Sequence, residues 1–154
     1  MELYSVASGT IKRIEDVNDP AFAEKMLGEG IAVLSEDGRV SAPADGIVTS
    51  LFPTGHAVGI TTEEGIQVLI HIGIDTVNMK GRGFIAHVRQ GDRVQCGQLL
   101  VSFDPELIKV SGYDPDVIVV ILNSGDYRSI TATNQKKLQT GDVLLTLERQ
   151  AHDH

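Results

Sequence analysis

Two histidines, His56 and His71, lie fifteen positions apart in the stretch "TGHAVGITTEEGIQVLIHIGID", residues 54–75. The segments that carry them are otherwise apolar and strand-forming, and imidazole is a poor substitute for Val or Ile in a sheet. Two such rings in adjoining strands therefore point to chemistry. The "TTEEG" between the two apolar runs predicts a hairpin. With Thr61 opposite Ile66, His56 falls directly across from His71 on one face, with Cβ atoms about 4.5–5.5 Å apart. A slip of one residue would send the two rings to opposite faces.

Neighbouring neutral imidazoles support two chemistries. One ring can attack phosphorus while the other donates a hydrogen bond to the oxygens of the transferred group. Alternatively both can ligate zinc, with a carboxylate such as Asp75 as a third ligand. The surroundings favour a phosphoryl group. Gly55, Gly59 and Gly73 keep the backbone accessible beside the rings, although each alone is also the ordinary mark of a turn or bulge. Thr54, two residues before His56, can orient that ring through its hydroxyl. A phosphate-bearing histidine needs its second nitrogen bonded elsewhere, which fixes the tautomer and leaves the first nucleophilic.

The elements that must position these residues are mostly strands. Short apolar or alternating runs recur between Gly-rich turns: "DGIVTSLF", "HAVGITT", "IQVLIHIGI", "FIAHVRQGD", "QLLVSFD", "DVIVVILN" and "DVLLTLE". "GIAVLSEDGRVSAP" predicts a further hairpin around Glu36-Asp37-Gly38. Helical turns are expected only at Asp19 to Met26 and Pro105 to Gly112, each opening at a proline. "QGDRVQCGQLLVSFD" (90–104) resembles "QTGDVLLTLE" (139–148), and "ADGIVTSLF" pairs more loosely with "GFIAHVRQGD". The expected fold is all-β, a mostly antiparallel sandwich or barrel with internal motif duplication and one or two short helical turns. One domain over residues 1–150 is expected, followed by a disordered tail at 151–154.

The totals narrow the partners. Thirteen basic and twenty-one acidic side chains give a net charge of −8, which repels nucleic acid and anionic lipid and suits a basic protein partner. Mean hydropathy is near zero, at +0.01, as in ordinary soluble chains. Cys96, the one cysteine, excludes an internal disulfide. The N-terminus has no secretory pattern and no apolar run approaches the roughly 18 residues of a membrane span, so a cytoplasmic location is expected.

At "HIGIDTVNMKGRGF", with "TGHAV" upstream, the chain resembles the IIA domain of the glucose family of the bacterial phosphoenolpyruvate-dependent sugar phosphotransferase system (PTS). The resemblance extends from "SGTIKRIEDVNDPAFAEKMLGEGIAV" through "APADGIV" to "GDRVQCGQLLVSFD". It implies that His71 accepts a phosphoryl group through Nε2 from the carrier protein HPr. It further implies that His56 stabilises the phosphorylated form and serves onward transfer to a cysteine on the IIB domain of a sugar permease. Thr54 then hydrogen-bonds His56, and Asp75 lies beside the site together with Gly73. Glu29 of "GEG" falls where relatives usually carry Asp, keeping the charge on a longer side chain. Both partners would dock on an apolar rim, for which Val33, Val40, Phe52, Val58, Ile60, Leu69 and Val77 are the candidates, each of which is also a candidate for the core. No metal is required, and zinc held by His56 and His71 would be incidental.

Two other readings attach to single motifs. A zinc-dependent peptidase would use His56, His71 and Asp75 with a later His-x-His, and the sequence offers only His152 and His154 in the polar tail. A lipoyl- or biotinyl-type carrier would attach its group at Lys80 of "NMKG", which reads more simply as a solvated loop lysine. Cys96 is expected to be buried and inert, and His87 to be a surface residue.

Overall fold

A computed structural model of the chain describes residues 1–150. The expected tail, with His152 and His154, lies outside the described residues. Fourteen strands follow in order: β1 (Glu2–Tyr4), β2 (Gly9–Arg13), β3 (Glu29–Ser35), β4 (Arg39–Ser41), β5 (Gly46–Leu51), β6 (Ala57–Thr62) and β7 (Gln67–Ile72). After these come β8 (Phe84–Ala86), β9 (Arg93–Val94), β10 (Leu99–Phe103), β11 (Asp116–Ile121), β12 (Tyr127–Ala132), β13 (Lys137–Leu138) and β14 (Val143–Arg149). Two short helices interrupt them, α1 (Pro20–Ala23) and α2 (Pro105–Val110). In each, Pro occupies the first turn, where its missing N–H costs nothing, and an aspartate caps the N-terminus.

The strands form an eight-stranded sheet, β13-β2-β3-β11-β7-β6-β5-β9, and two three-stranded sheets, β1-β14-β12 and β4-β10-β8. Every ladder among the described residues is antiparallel. One pairing scheme occurs twice. β4 joins β10 as β1 joins β14; β5 joins β9 and β6 as β2 joins β13 and β3; β8 flanks β10 as β12 flanks β14. The two halves meet where β7 pairs with β11, His71 opposite Ile118 and Leu69 opposite Val120. The matched stretches 90–104 and 139–148 thus coincide at β10 and β14, the middle strands of the two small sheets, whereas the large sheet's edge strand lies inside the first stretch as β9 and just ahead of the second as β13. The looser match fails, because "ADGIVTSLF" forms β5, whose counterpart is β2, whereas "GFIAHVRQGD" begins with β8.

Alternation along the strands divides the core. Val68, Ile70, Ile72, Val117, Val119 and Ile121 face inward with Leu100, Val101, Leu144 and Leu145 of the two small sheets in the larger cluster. The opposite face of β7 and β11 presents Leu69, His71, Ile118 and Val120. The β2–β3 connection folds over it, so that Ile14, Val17 and Phe22 pack on Ala32, Ile118 and Val120. The equivalent β5–β6 connection is a tight turn, in which the Phe52 carbonyl accepts the Gly55 N–H at 2.8 Å.

One expected hairpin is absent. β3 and β4, either side of Glu36-Asp37-Gly38, belong to different sheets. The turn is a corner: the Ser35 hydroxyl accepts the Gly38 N–H at 2.9 Å, and the Gly38 carbonyl accepts from Phe103 at 2.8 Å. An Asp-Gly turn between apolar runs specifies the local bend but not whether the two arms pair.

Candidate active site

His71 is the penultimate residue of β7, a strand that needs no special feature beyond its alternation to face this ring away from the main core. Its Nδ1 lies 2.8 Å from the Gly73 carbonyl oxygen. A carbonyl can only accept, so Nδ1 carries the proton and Nε2 of the neutral ring keeps its lone pair. Gly73 adopts φ +79°, and a Cβ there would stand 2.3 Å from Cγ2 of Thr76. Only glycine turns the chain sharply enough here to aim its carbonyl back at the ring.

His56 precedes the first residue of β6 and is only 3% exposed. Its ring centroid is 5.2 Å from that of His71, at 79° between planes. The two are not ladder partners, because Ala57 pairs with His71 and the whole hairpin is displaced by one residue from the expected register. The slip does not separate the rings, because His56 lies in the turn ahead of β6, where strand alternation no longer dictates direction. Gly55, at φ +78°, redirects the chain just before it. The His56 carbonyl still accepts the Ile72 N–H at 2.7 Å, which holds the two segments together.

The Thr54 hydroxyl bonds Nδ1 of His56. With the hydroxyl as donor, Nδ1 is the acceptor and the ring proton sits on Nε2, the opposite tautomer to His71. Burial, and after it the neighbouring His71, pushes the His56 pKa down to about 4. Burial likewise lowers the His71 pKa, opposed by the Gly73 hydrogen bond and by the carboxylates of Asp19 and Asp75. Both rings are therefore neutral near pH 7, with a free lone pair on Nε2 of His71 and a proton on Nε2 of His56.

Aromatic rings flank the pair on both sides. Phe22 lies 5.2 Å from His71 and Phe52 lies 5.2 Å from His56, centroid to centroid. Asp19, whose carboxylate accepts the Ala21 N–H at 2.9 Å, caps the same turn of α1 that carries Phe22. Asp19 and Phe22 escaped sequence reasoning. The proline that opens α1 marked a helical turn in the sequence, but the contact of that turn with a distant strand was not legible there. Asp75 sits exposed at φ +60°, leading into the 3-10 turn Thr76–Met79. Glu29 is elsewhere: its carboxylate pairs with Lys25 at 3.2 Å, and its N–H donates to Ser124 at 2.8 Å.

Among the rim candidates, Phe52 and Val77 are exposed, at 45% and 51%. Val33, Val40, Val58 and Ile60 are wholly buried in the main core, and Leu69 packs on the smaller cluster. Cys96 is exposed, contrary to expectation, in the turn before β10, because the residues around it are a hydrogen-bonded loop and not a strand. Partial burial and Asp45 raise its thiol pKa, which leaves it a poor nucleophile. His87 is exposed and hydrogen-bonded to Ser102.

Nothing supports the two minor readings. Among the described residues, no group of three or more His, Cys, Asp or Glu side chains is arranged to hold a metal ion. Lys80 lies between β7 and β8, strands of different sheets, so it is not at a hairpin tip of the kind a carrier lysine needs. No helix among the described residues is long and apolar enough to cross a membrane.

The sequence model of the phosphoenolpyruvate-dependent sugar phosphotransferase system, EIIA 1, matches residues 1–127. A PTS system glucose-specific EIIA component of Halalkalibacterium halodurans is 45% identical over 149 residues, covering 95% of this chain and 86% of that protein. A glucose-specific EIICBA component of Streptococcus pneumoniae is also 45% identical, over 84% of this chain but 18% of its own length. The glucose permease IIA of Mycoplasma capricolum superposes with a TM-score of 0.85 at 33% identity, covering 94% of each chain. On these matches the chain belongs to the EIIA 1 family of the phosphoenolpyruvate-dependent sugar phosphotransferase system.

Proposed function

We propose that His71 carries the phosphoryl group on Nε2 and that His56 stabilises it by donating its Nε2–H to a phosphoryl oxygen. EIIA domains of this system are phosphoryl carriers: they take the group from HPr and pass it to the IIB domain of a sugar permease. The observation that carries the residue assignment is the commitment of both Nδ1 atoms. One donates to the Gly73 carbonyl and the other bonds the Thr54 hydroxyl, so the two neighbouring rings hold complementary tautomers.

In the accepting step, the Nε2 lone pair of His71 attacks phosphorus while the P–N bond to the donor histidine breaks. The electron pair of that bond leaves with the donor ring. The Nδ1 proton of His71 stays in place, and the Gly73 carbonyl takes up the positive character that the phosphorylated ring acquires. Donation to the IIB cysteine runs the same displacement outward, with the thiolate as nucleophile. Chemistry is light in such a transfer; positioning and electrostatics dominate.

The exposed Phe52 and Val77 form part of the apolar rim on which each partner docks, and the net charge of −8 favours a basic donor. Two imidazoles supply half of a tetrahedral zinc set, and a zinc ion on them would occupy the nitrogen that must meet phosphorus. The transfer proposed here uses no metal in any step. Relatives named for glucose and for β-glucosides match at 45% and 41% identity, so the likeness does not single out one sugar.

The test is incubation with phosphoenolpyruvate, the general phosphotransferase enzyme and HPr. The wild-type chain gains one acid-labile phosphoryl group and His71→Ala gains none; an equal gain in both removes the assignment.

A further inference from the structure

Outside the ring pair, one half-buried ion pair stands where its effect on His71 can be traced bond by bond. Nζ of Lys12 lies 3.0 Å from Oδ2 of Asp116, and the Asp116 side chain is only 3% exposed. Lys12 belongs to β2 and Asp116 to β11, with β3 between them, so the lysine stem crosses that strand near Ala32, its ladder partner. Asp116 opens β11, directly after Pro115. Its carbonyl accepts the Gly73 N–H at 2.6 Å, and the Asp114 carbonyl accepts the Ile74 N–H at 3.0 Å.

Those two bonds grip both sides of the residue that holds His71. The peptide group joining Gly73 to Ile74 accepts the His71 Nδ1–H at its oxygen and donates to the Asp114 carbonyl at its nitrogen, so a single chain of polarised bonds runs from the segment leading into β11 to the ring. A glycine at φ +79° has no side chain to hold its peptide planes, and the hold must come from outside. We infer that the Lys12–Asp116 ion pair is a positioning pair for phosphoryl transfer: it anchors the Asp114–Asp116 segment, and through it the Gly73 carbonyl that keeps the His71 proton on Nδ1.

An ion pair drawn partly out of water is poor evidence of stabilisation, since apolar residues of the same size often do as well. Its retention beside the site is explained by orientation. The Lys12 ammonium bonds Asp116, and the rings bond Thr54 and Gly73, so the pair acts on the rings only through the backbone and is expected to affect turnover and not docking. This inference rests on His71 being the acceptor.

The test compares Asp116→Asn, Lys12→Met and Lys12→Arg with wild type, using proteins shown to be folded. Two readouts apply: the 15N shifts of the His71 ring, and kcat and KM for phospho-HPr. Asp116→Asn and Lys12→Met should mix the His71 tautomers and lower kcat about tenfold with KM unchanged, as loss of an outer-shell partner typically does. Lys12→Arg should keep both readouts near wild type. Should Lys12→Met fail to fold, Lys12→Met/Asp116→Leu removes both charges without stranding one, and the same losses are expected. Wild-type tautomer and kcat in folded Asp116→Asn or in the double variant would overturn the inference. Failure of wild type itself to accept phosphate on His71 would instead remove the reading beneath it.

Discussion

His56 meets His71 without being its partner in the sheet. The residue opposite His71 is Ala57, and His56 reaches the same place from the turn before β6, ring centroid to ring centroid 5.2 Å. Had both rings stood on regular strand positions in this register, they would have faced opposite sides. The pair therefore depends on the turn at Thr54 and Gly55 as much as on the sheet.

The two rings should separate the two half-reactions. His56→Ala keeps the His71 nucleophile and its Gly73 bond, so acceptance from phospho-HPr survives. Donation to the IIB domain should fall on the order of 100-fold, the usual loss on removing one preorganised donor. Rapid-quench measurement of each half-reaction checks this, and equal effects on both would contradict it.

Thr54→Val removes the hydroxyl that sets the His56 tautomer while keeping the side-chain volume. The 15N shifts of His56 should show both tautomers, and donation should slow by about tenfold.

Acid should weaken the fold through His56. The unfolded ring takes up a proton near its ordinary pKa of 6.5, whereas burial keeps the folded ring neutral down to about 4. The unfolded state then binds more protons in that window, so stability is whole above pH 6.5 and falls as pH drops toward 4. His71 is shifted in the same direction, so the difference between wild type and His56→Gln isolates the His56 share. Urea midpoints across pH 4–7 should show a shallower slope in the variant.

Gly73→Ala should be costly out of proportion to its size. A methyl group there meets Thr76 at 2.3 Å in a left-handed backbone, with a penalty of about 1–3 kcal/mol in urea unfolding. It should also disturb the His71 tautomer, because the carbonyl that fixes it must move.

Alternating patterns and Gly-rich turns made the all-β architecture legible, and the Gly-Asp-Leu-Leu repeats marked the duplicated strands. Residue types and the family resemblance also drew out the histidine pair and Thr54. Long-range geometry stayed hidden. The Asp37-Gly38 turn reads like a hairpin yet joins two sheets, since pairing is decided by distant strands. Cys96 looks like a strand residue because Leu99 and Leu100 follow it, but the Gln95–Gln98 hydrogen bond ties it into a surface turn. Glu29 drew attention that belongs to Asp19, because only the fold of the β2–β3 connection over Ile118 brings one carboxylate to His71 and leaves the other with Lys25.

The most direct measurement is the scalar coupling between 31P and 15N in the labelled, phosphorylated chain. The account predicts one phosphorus atom coupled to Nε2 of His71, with Nδ1 of that ring still protonated. Phosphorus bonded to Nδ1 of His71, to His56 or to any other residue would contradict it.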